Sequence, residues 1–202
     1  MSAINPTTGL KSDGARWTTV NNPAAEQELL SFSIRSGRID IPEDVVQSIV
    51  DAARWSPSCF NEQPWLIVTS SNPGEFETCM DLLKDMNQRW VKNAGVIGFI
   101  FGRRIMAKNG EKNNYNAFDC GAASLAIALQ AGRFGLHTHV MAGIHKEKTY
   151  AVLGVREADY ECMCGFTIGL MDSPEKLPDD LAAREKPPAR KPLSEIWKNG
   201  FK

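Results

Sequence analysis

Three residues far apart in the sequence carry side chains that suit an anionic ligand. Ser33 and Arg35 stand near the beginning of the chain, and Arg190 stands near its end. A guanidinium is a fork-shaped donor that binds phosphate oxygens in pairs, and a serine hydroxyl adds a further hydrogen bond. Taken singly, each arginine is more typical of a solvated surface, so the three residues gain significance only beside a further pattern.

A second segment, SPSCFNEQPW at residues 56–65, combines a turn with aromatic and amide side chains. Pro57 ends a preceding helix, because the residue before a proline avoids helical angles. Asn61 offers an amide to a ligand. Cys59 has no base at a spacing that would activate its thiol, so it is interpreted as a small packing residue and not as a nucleophile.

The elements that hold these residues follow from hydrophobic spacing. Apolar residues from Val45 to Ala53 recur at helical spacing, and this helix is expected to begin with Asp40 as N-cap and to end at Ser56. A β-rich run predicts a strand at Trp65–Thr69, and Asn72-Pro73-Gly74 predicts a turn. Further expected elements are one or two helices in 76–90, strands at 94–101, 137–141 and 161–170, and an exposed basic loop or lid at 103–114. Short helical segments are expected at 24–32 and 146–153, and a final short element of unassigned type at 193–197.

The segment Asn116–Phe134 predicts the longest helix, and Gly135 predicts its end. It is rich in alanine and apolar around most of its circumference, so it is expected to be buried on more than one side. In a chain of 202 residues, such a helix forms either the centre of the core or a dimer interface.

Composition excludes several classes of function. The formal net charge is -1, and no basic stripe interleaved with aromatic residues indicates a nucleic-acid partner. No apolar run is long enough to predict a membrane span. The five cysteines are irregularly spaced, which argues against a disulfide framework, and Cys162 and Cys164 are expected on one face of a strand. His137 and His139 could share a strand face, but no further ligands can be placed, so no metal site is predicted.

The chain is expected to form one domain with two arms. Residues 1–22 are polar and predict an N-terminal arm, and residues 23–202 predict a single domain. From about residue 172 the chain is rich in proline and charge, so it is expected to run over a surface as an extended C-terminal arm. The first residues lack the pattern of a secretory signal, so the expected compartment is cytoplasmic. Alternating helices and strands predict an α/β or α+β fold with helices on the faces of a sheet.

Three segments, taken in order, resemble the nitroreductase-like flavoproteins: Ser33-Ile34-Arg35, residues 56–65, and Arg190-Lys191-Pro192-Leu193-Ser194-Glu195-Ile196. The middle segment is the most specific, because it resembles the family pattern Pro-Ser-Ser-x-Asn-x-Gln-Pro-Trp with Cys59 as its one departure. Residues 119–123 and Gly169 also fit, and the resemblance covers most of the chain. It implies the nitroreductase-like fold, with a central mixed sheet flanked by helices and with extended terminal arms exchanged in a homodimer.

The resemblance also implies an FMN site at the dimer interface. The expected cofactor-binding residues are Ser31, Phe32, Ser33, Arg35, Pro57, Ser58, Cys59, Asn61, Met141, Ala142, Gly143 and Arg190. In the family, the first segment and the late arginine hold the phosphate, and the turn at 57–59 lies against the flavin ring from the partner subunit. The amide of Asn61 would contact the flavin or its ribityl chain. The backbone of 141–143 would follow the polar edge of the ring, where a small residue allows close approach.

One departure from the family concerns the phosphate. The family usually has an arginine two residues before the serine of the first segment, whereas this chain has Ser31, followed by Phe32. Losing one charge-assisted hydrogen bond costs about 1.5–3 kcal/mol, or about one to two decades of affinity. Arg38 or another basic residue could compensate; otherwise FMN binds weakly or the pocket takes a different ligand.

The resemblance therefore implies an FMN-dependent oxidoreductase that takes a hydride from NADH or NADPH and passes it to a small acceptor, such as a nitroaromatic, a quinone or an enone. The flavin supplies the redox chemistry, so no side chain is assigned as a catalytic acid or base. The alternative is a specialised or non-catalytic flavin-binding relative with weakened FMN affinity, which Ser31 motivates. The expected partners are a second copy of the chain and the small-molecule acceptor, without nucleic acid or membrane.

Overall fold

Four strands form one sheet at the centre of the computed structural model, which describes residues 38–183 and 189–200. The strands are β1 (Trp65–Thr69), β2 (Val96–Arg103), β3 (His137–Met141) and β4 (Tyr160–Gly169), in the order β1-β2-β4-β3. All three pairings are antiparallel. The predicted α+β class is confirmed, but the described strands form an antiparallel sheet and not the predicted mixed one. From β1 to β2 and from β3 to β4, the chain re-enters the sheet at the end where it left.

Helices cover both faces of this sheet. The helices are α1 (Glu43–Asp51), α2 (Pro73–Met80), α3 (Asp85–Val91), α4 (Asn116–Arg133), α5 (Lys146–Leu153), α6 (Asp179–Ala182) and the exposed α7 (Leu193–Ile196), which does not contribute to the core, with 3-10 turns at Ala52–Trp55, Cys59–Asn61 and Pro174–Lys176. The predicted arm at 1–22 and the predicted helix at 24–32 lie outside the described residues. In the ranges 38–183 and 189–200, no helix is both long and apolar enough to cross a membrane.

Two apolar clusters fill the spaces between the sheet and the helices. Alternate residues of β2 point to opposite faces, so Phe99 packs toward α2, α3 and α5, whereas Ile100 packs toward α1 and α4. Both side chains are at most 1% exposed. The long helix α4 therefore packs on the cluster that contains Ile100. Because the helix is fixed against the sheet, the loops at its two ends are fixed as well.

Two helices begin at other residues than the sequence predicts. α1 begins at Glu43 with Pro42 as its N-cap residue, so Asp40 is not the cap. The extended backbone of Pro42, with ψ at 141°, delays the first helical residue. Asn72 is the N-cap of α2, because its side-chain oxygen accepts the N–H of Glu75 at 2.9 Å. The predicted turn at 72–74 is thus a capped helix start with Pro73 in the first position.

The two neighbouring cysteines of β4 contradict the expectation of a shared face. Cys162 belongs to the cluster beneath α2 and α3, whereas Cys164 packs against the cluster beneath α4. The cause is a β-bulge: Phe101 pairs with Cys162 and Ile100 pairs with Cys164, which leaves Met163 as an extra residue. One inserted residue reverses the alternation of side chains along the strand.

The remaining elements follow the predicted order. β1 and α5 have the predicted bounds. α4 ends at Arg133, two residues before Gly135, whose φ of +70° is the left-handed conformation that glycine adopts without strain and that follows many helix ends. After β4, helix α6 packs against the core, because its residue Leu181 is 2% exposed and belongs to the core cluster. The segment after residue 172 is therefore still packed at α6, and residues 189–200 are exposed throughout.

Candidate functional site

The turn at residues 57–63 has a strained backbone. Phe60, Asn61 and Gln63 have φ values of 54°, 59° and 46°. These values lie in the left-handed region of backbone conformation, which residues other than glycine rarely adopt. Each such residue costs on the order of 1–3 kcal/mol and persists only when its surroundings fix it. The Ser58 hydroxyl provides part of this support by accepting the backbone N–H of Gln63 at 3.0 Å. Strain of this kind is concentrated at functional sites in proteins.

A buried carboxylate on α4 holds the same turn. Asp119 is 2% exposed, and its Oδ2 accepts the backbone N–H of Cys59 at 3.1 Å. Its position in the first turn of α4 places the negative charge at the positive end of the helix dipole. The sequence reading had Asp119 only as part of a matching segment, although an acidic residue in a largely apolar helix was the available signal. Asp119 is therefore a positioning residue that connects the long helix to the turn.

The lid loop, residues 104–114 after the end of β2, is fastened to the turn from the other side. The two oxygens of Glu62 accept the backbone N–H groups of Ala107 at 2.6 Å and Lys108 at 2.9 Å. The Lys108 ammonium lies 4.0 Å from the centroid of the Phe60 ring. The predicted loop is confirmed for residues 104–114, but it is not exposed throughout, because Met106 and Asn113 are buried, and its backbone is anchored to the turn at two consecutive residues. We call the turn and its attached loop the clasp.

The predicted backbone segment 141–143 begins at the last residue of β3 and packs against α3. The Gly143 carbonyl accepts the N–H of Lys84 at 2.9 Å and the side-chain amide of Asn87 at 3.0 Å. A Cβ at Gly143 would lie 2.5 Å from the Asn87 amide nitrogen, so a larger residue would displace the Asn87 side chain from its hydrogen bond to the Gly143 carbonyl. Asn87, which is not among the predicted site residues, gives a reason for a small residue here that is independent of the cofactor, and the predicted close approach to a flavin ring stays a prediction. Ala142 beside it is exposed.

Arg190 lies in a separate groove between α4 and β3. The groove has a volume of about 860 Å³ and is lined by Ser124, Leu125, Ala128, Thr138, His139, Val140, Ala189, Arg190, Lys191 and Ile196. Two adjacent cations, Arg190 and Lys191, thus face an apolar slot that also offers hydroxyl groups. This donor set suits a ligand with an anionic end and a flat apolar body. Lys191 belongs to the matching segment at 190–196 but is not among the predicted cofactor-binding residues.

The predicted site residues do not all meet in one cleft of one subunit. Asp119 is at the beginning of α4, whereas Ser124 and Ala128 line the groove about 8–14 Å further along the helix. None of the residues 57–63 lines the groove. Ser31, Phe32, Ser33 and Arg35 lie outside the described residues.

Arg38 does not stand in for the missing family arginine at the groove. Its guanidinium lies 4.0 Å from the centroid of the Phe76 ring. It lines a second cleft of about 500 Å³ that has no lining residue in common with the groove. Lys191 is therefore the better-placed second cation.

The outward face of α4 is apolar and exposed. Ala123 and Ile127 are buried on the inner face, whereas Phe118, Leu125 and Leu129 are 79%, 55% and 49% exposed on the outer one. The expectation that this helix is buried on more than one side is not met within a single subunit. The exposed residues recur at helical spacing and form a continuous ridge, as expected for a surface that is covered by another chain.

Four of the five cysteines are not poised as nucleophiles. Burial raises the pKa of Cys120 to about 12 and the pKa values of Cys79, Cys162 and Cys164 to about 11, so these thiols stay protonated at neutral pH. Within the described ranges, no group of three or more histidine, cysteine or acidic residues could hold a metal ion. The site thus offers shaped surfaces, backbone groups and cations as its working parts.

Comparison with known proteins gives a consistent result. A solved structure described as an oxidoreductase containing FMN is 32% identical, has a TM-score of 0.79, and covers 91% of this chain and 94% of its own length. A nitroreductase family protein from Streptococcus pneumoniae TIGR4 is 19% identical, has a TM-score of 0.68, and covers 87% of this chain and 98% of that chain. An enone reductase of gut-bacterial fatty acid saturation is 19% identical, has a TM-score of 0.67, and covers 90% of this chain and 99% of that chain. The sequence matches no protein-family model and no curated protein.

Proposed function

Because the chain belongs to the nitroreductase-like family of FMN-containing oxidoreductases, we propose that it binds FMN and transfers a hydride from NADH or NADPH to a small electrophilic acceptor. The observation that carries the proposal is the groove beside α4, where Arg190 and Lys191 supply two cations to an apolar slot. A phosphate at one end and a planar ring along the slot are the two parts of FMN that this donor set fits.

Each part of the proposed site has a separate task. Arg190 and Lys191 would bind the phosphate, and the hydroxyl groups of Ser124 and Thr138 stand in the same groove to hydrogen-bond a hydroxylated chain. Bound FMN supplies hydride chemistry, which is why the site needs no acidic or basic side chain. The chain itself orients the substrates and excludes water through the clasp.

The number of cationic side chains available to bind the FMN phosphate decides between the proposal and its alternative, a flavin-binding relative with weakened affinity. Ser31 removes one family arginine, but Lys191 adds a cation beside Arg190 in the groove. A lysine binds phosphate as a point charge and not as a fork, so it offsets the charge better than the geometry. We therefore favour FMN binding with moderate affinity and retained oxidoreductase activity over a non-catalytic role.

A homodimer is the second part of the proposal. The ridge of Phe118, Leu125 and Leu129 on α4 is exposed in one subunit, and Ile196 and Trp197 are 67% and 58% exposed in the C-terminal segment. A second copy would bury both surfaces and bring its own turn at 57–59 against the flavin ring, as the family resemblance implies. Light scattering is expected to give twice the subunit mass, and a monomeric mass at micromolar concentration would contradict the shared site.

The experiment that tests the activity uses the purified full-length protein. Its absorbance spectrum is recorded before and after FMN is added and the protein is desalted, and NADH and NADPH oxidation is then followed with a nitroaromatic, a quinone and an enone. We expect a retained flavin spectrum and accelerated oxidation with at least one acceptor.

Arg190→Ala should lose flavin, whereas Arg133→Ala, an exposed arginine at the end of α4 outside the groove, serves as the matched control. Retained flavin without turnover would favour the non-catalytic alternative. If the protein retains no flavin at any FMN concentration, both the proposed oxidoreductase function and the non-catalytic flavin-binding alternative are overturned.

A further inference from the structure

Lys108 is held in an unusual position for a surface lysine. Its backbone N–H is fixed by Glu62 at 2.9 Å, and its ammonium lies 4.0 Å from the centroid of the Phe60 ring. Phe60 is itself 67% exposed and is fixed at a φ of 54° by the turn. A lysine side chain normally samples many rotamers, but here both the start and the end of the side chain are located.

The Lys108 ammonium forms no ion pair in the part of the chain that the structure describes. The neighbouring Arg104 is used within the fold, because it donates to the carbonyl oxygens of Glu157 at 2.9 Å and Tyr160 at 3.2 Å. The carboxylate of Glu62 is occupied by two backbone N–H groups. Across residues 38–183 and 189–200, no carboxylate lies within ion-pair distance of the Lys108 ammonium.

We propose that Lys108 and Phe60 select the substrate of the proposed site by recognising an anionic group on it. The inference rests on the proposed function, because it assumes that the clasp faces the slot in which both substrates bind in turn. The Phe60 side chain, which is 67% exposed, offers its ring edge to a conjugated molecule, and the ammonium fixed over one ring face offers a partner to a carboxylate or phosphate of that molecule. Two sources supply such an anion, namely a carboxylated acceptor and the extra phosphate that distinguishes NADPH from NADH.

Two matched substrate pairs distinguish these sources. The full-length protein loaded with FMN is assayed with NADPH against NADH at a fixed neutral quinone, and with 4-nitrobenzoate against nitrobenzene at fixed NADH. Lys108→Gln is expected to raise KM about five- to tenfold for the anionic member of at least one pair, with kcat nearly unchanged, since it removes one charge-assisted contact. Lys108→Arg should retain the preference, and Lys108→Glu should reverse it.

A binding measurement and a control variant complete the test. Isothermal titration of the same variants with NADP⁺, NAD⁺ and 4-nitrobenzoate should show a matching loss of affinity for the anionic ligand. Lys112→Gln removes the same charge from the same loop and should leave the preference within about twofold of the wild type, if recognition is a contact and not long-range steering.

The inference is overturned if Lys108→Gln shifts neither pair, or if Lys112→Gln shifts a pair equally. A wild-type protein that retains flavin and oxidises NADH or NADPH, yet shows no effect at Lys108, contradicts only this inference. A wild-type protein without flavin or turnover contradicts the proposed function as well.

Discussion

The turn at 57–63 and the C-terminal segment at 189–200 are both expected to contact the cofactor, yet they are held in opposite ways. The turn has a strained backbone, and Asp119, Ser58 and Glu62 fix it through hydrogen bonds within one subunit. The C-terminal segment is exposed at all its residues, and three of its large apolar side chains, Leu193, Ile196 and Trp197, are more than half exposed.

This difference indicates which part of the site is preformed. Holding strained residues requires surrounding contacts that fix them, and the subunit supplies those contacts to the turn. Exposed leucine, isoleucine and tryptophan side chains near one another require burial elsewhere, and a second subunit is the proposed source. The turn should therefore depend on the stability of the subunit, and the C-terminal segment on the association of two subunits.

The largest expected effect is the difference in stability between two leucine variants, one in the packed helix α6 and one in the exposed C-terminal segment. Leu181→Ala removes a side chain that is 2% exposed, and Leu193→Ala removes one that is 63% exposed. Leu181→Ala should lower the free energy of unfolding by about 2–5 kcal/mol through the cavity it leaves. Leu193→Ala should change it by less than about 0.5 kcal/mol but should weaken the dimer.

Urea denaturation at fixed protein concentration measures the first effect, and light scattering over a dilution series measures the second. Equal effects of the two leucines on unfolding would mean that the C-terminal segment is packed within its own subunit, which would remove the contrast between the regions.

The next largest effect concerns the support of the turn. Asp119→Ala leaves the N–H of Cys59 without its acceptor and should lower the free energy of unfolding by about 1–3 kcal/mol. Asp119→Asn keeps a side-chain oxygen in the same place and should lose less. Thermal and urea unfolding of both variants measure this. If the asparagine variant is as unstable as the alanine one, then the charge of Asp119, and not its role as acceptor, stabilises the turn.

A smaller effect is expected at the lid. Glu62→Gln leaves one side-chain oxygen to serve the two N–H groups of Ala107 and Lys108, so amide exchange at these residues should accelerate about tenfold. Hydrogen exchange read by NMR or mass spectrometry measures the change. Glu111→Gln on the same loop is the control. Unchanged exchange at both amides would show that the lid loop is held without Glu62.

The smallest effect is expected at an exposed ion pair. Arg89 and Asp180 form a bidentate pair at 2.7 Å between α3 and α6, where the packed chain ends. Arg89→Ala should shift the Tm by no more than about 2 °C, and less at high salt, because exposed pairs are screened. Calorimetry at two salt concentrations measures it. A loss as large as that of Leu181→Ala would show that the ion pair and not the apolar side chain fixes α6.

Several features of the fold that depend on neighbouring residues in the sequence were predicted, whereas features that depend on contacts between distant residues were not. β1 and α5 have the predicted bounds because hydrophobic spacing and local residue preferences specify them. The opposite orientations of Cys162 and Cys164 were not predictable, since the bulge at Met163 arises from pairing with a distant strand. The same is true of Asp119 and Glu62, whose partners are 60 and about 45 residues away.

The family motif predicts the turn and Arg190 as site residues, and the roles given to them remain predictions. The structure adds how they are held. Asn87 carries no sequence signal of its own and is recognised only by its contact with Gly143. Lys191 belongs to the family motif, but only its place in the groove marks it as a site residue.

The central claim is that the turn of one subunit and the Arg190 groove of the other build one site. Two variants test it: Arg190→Ala, and Asn61→Gly, in which glycine accepts the φ of 59° and removes only the amide. The two chains are co-expressed with different tags, and the mixed dimer is purified through both tags. Each parent dimer should have lost most of its activity.

The mixed dimer should recover about half of the wild-type activity, because one of its two sites combines an intact turn with an intact groove. A mixed dimer as inactive as its parents would show that both regions act from the same subunit, and would contradict the account.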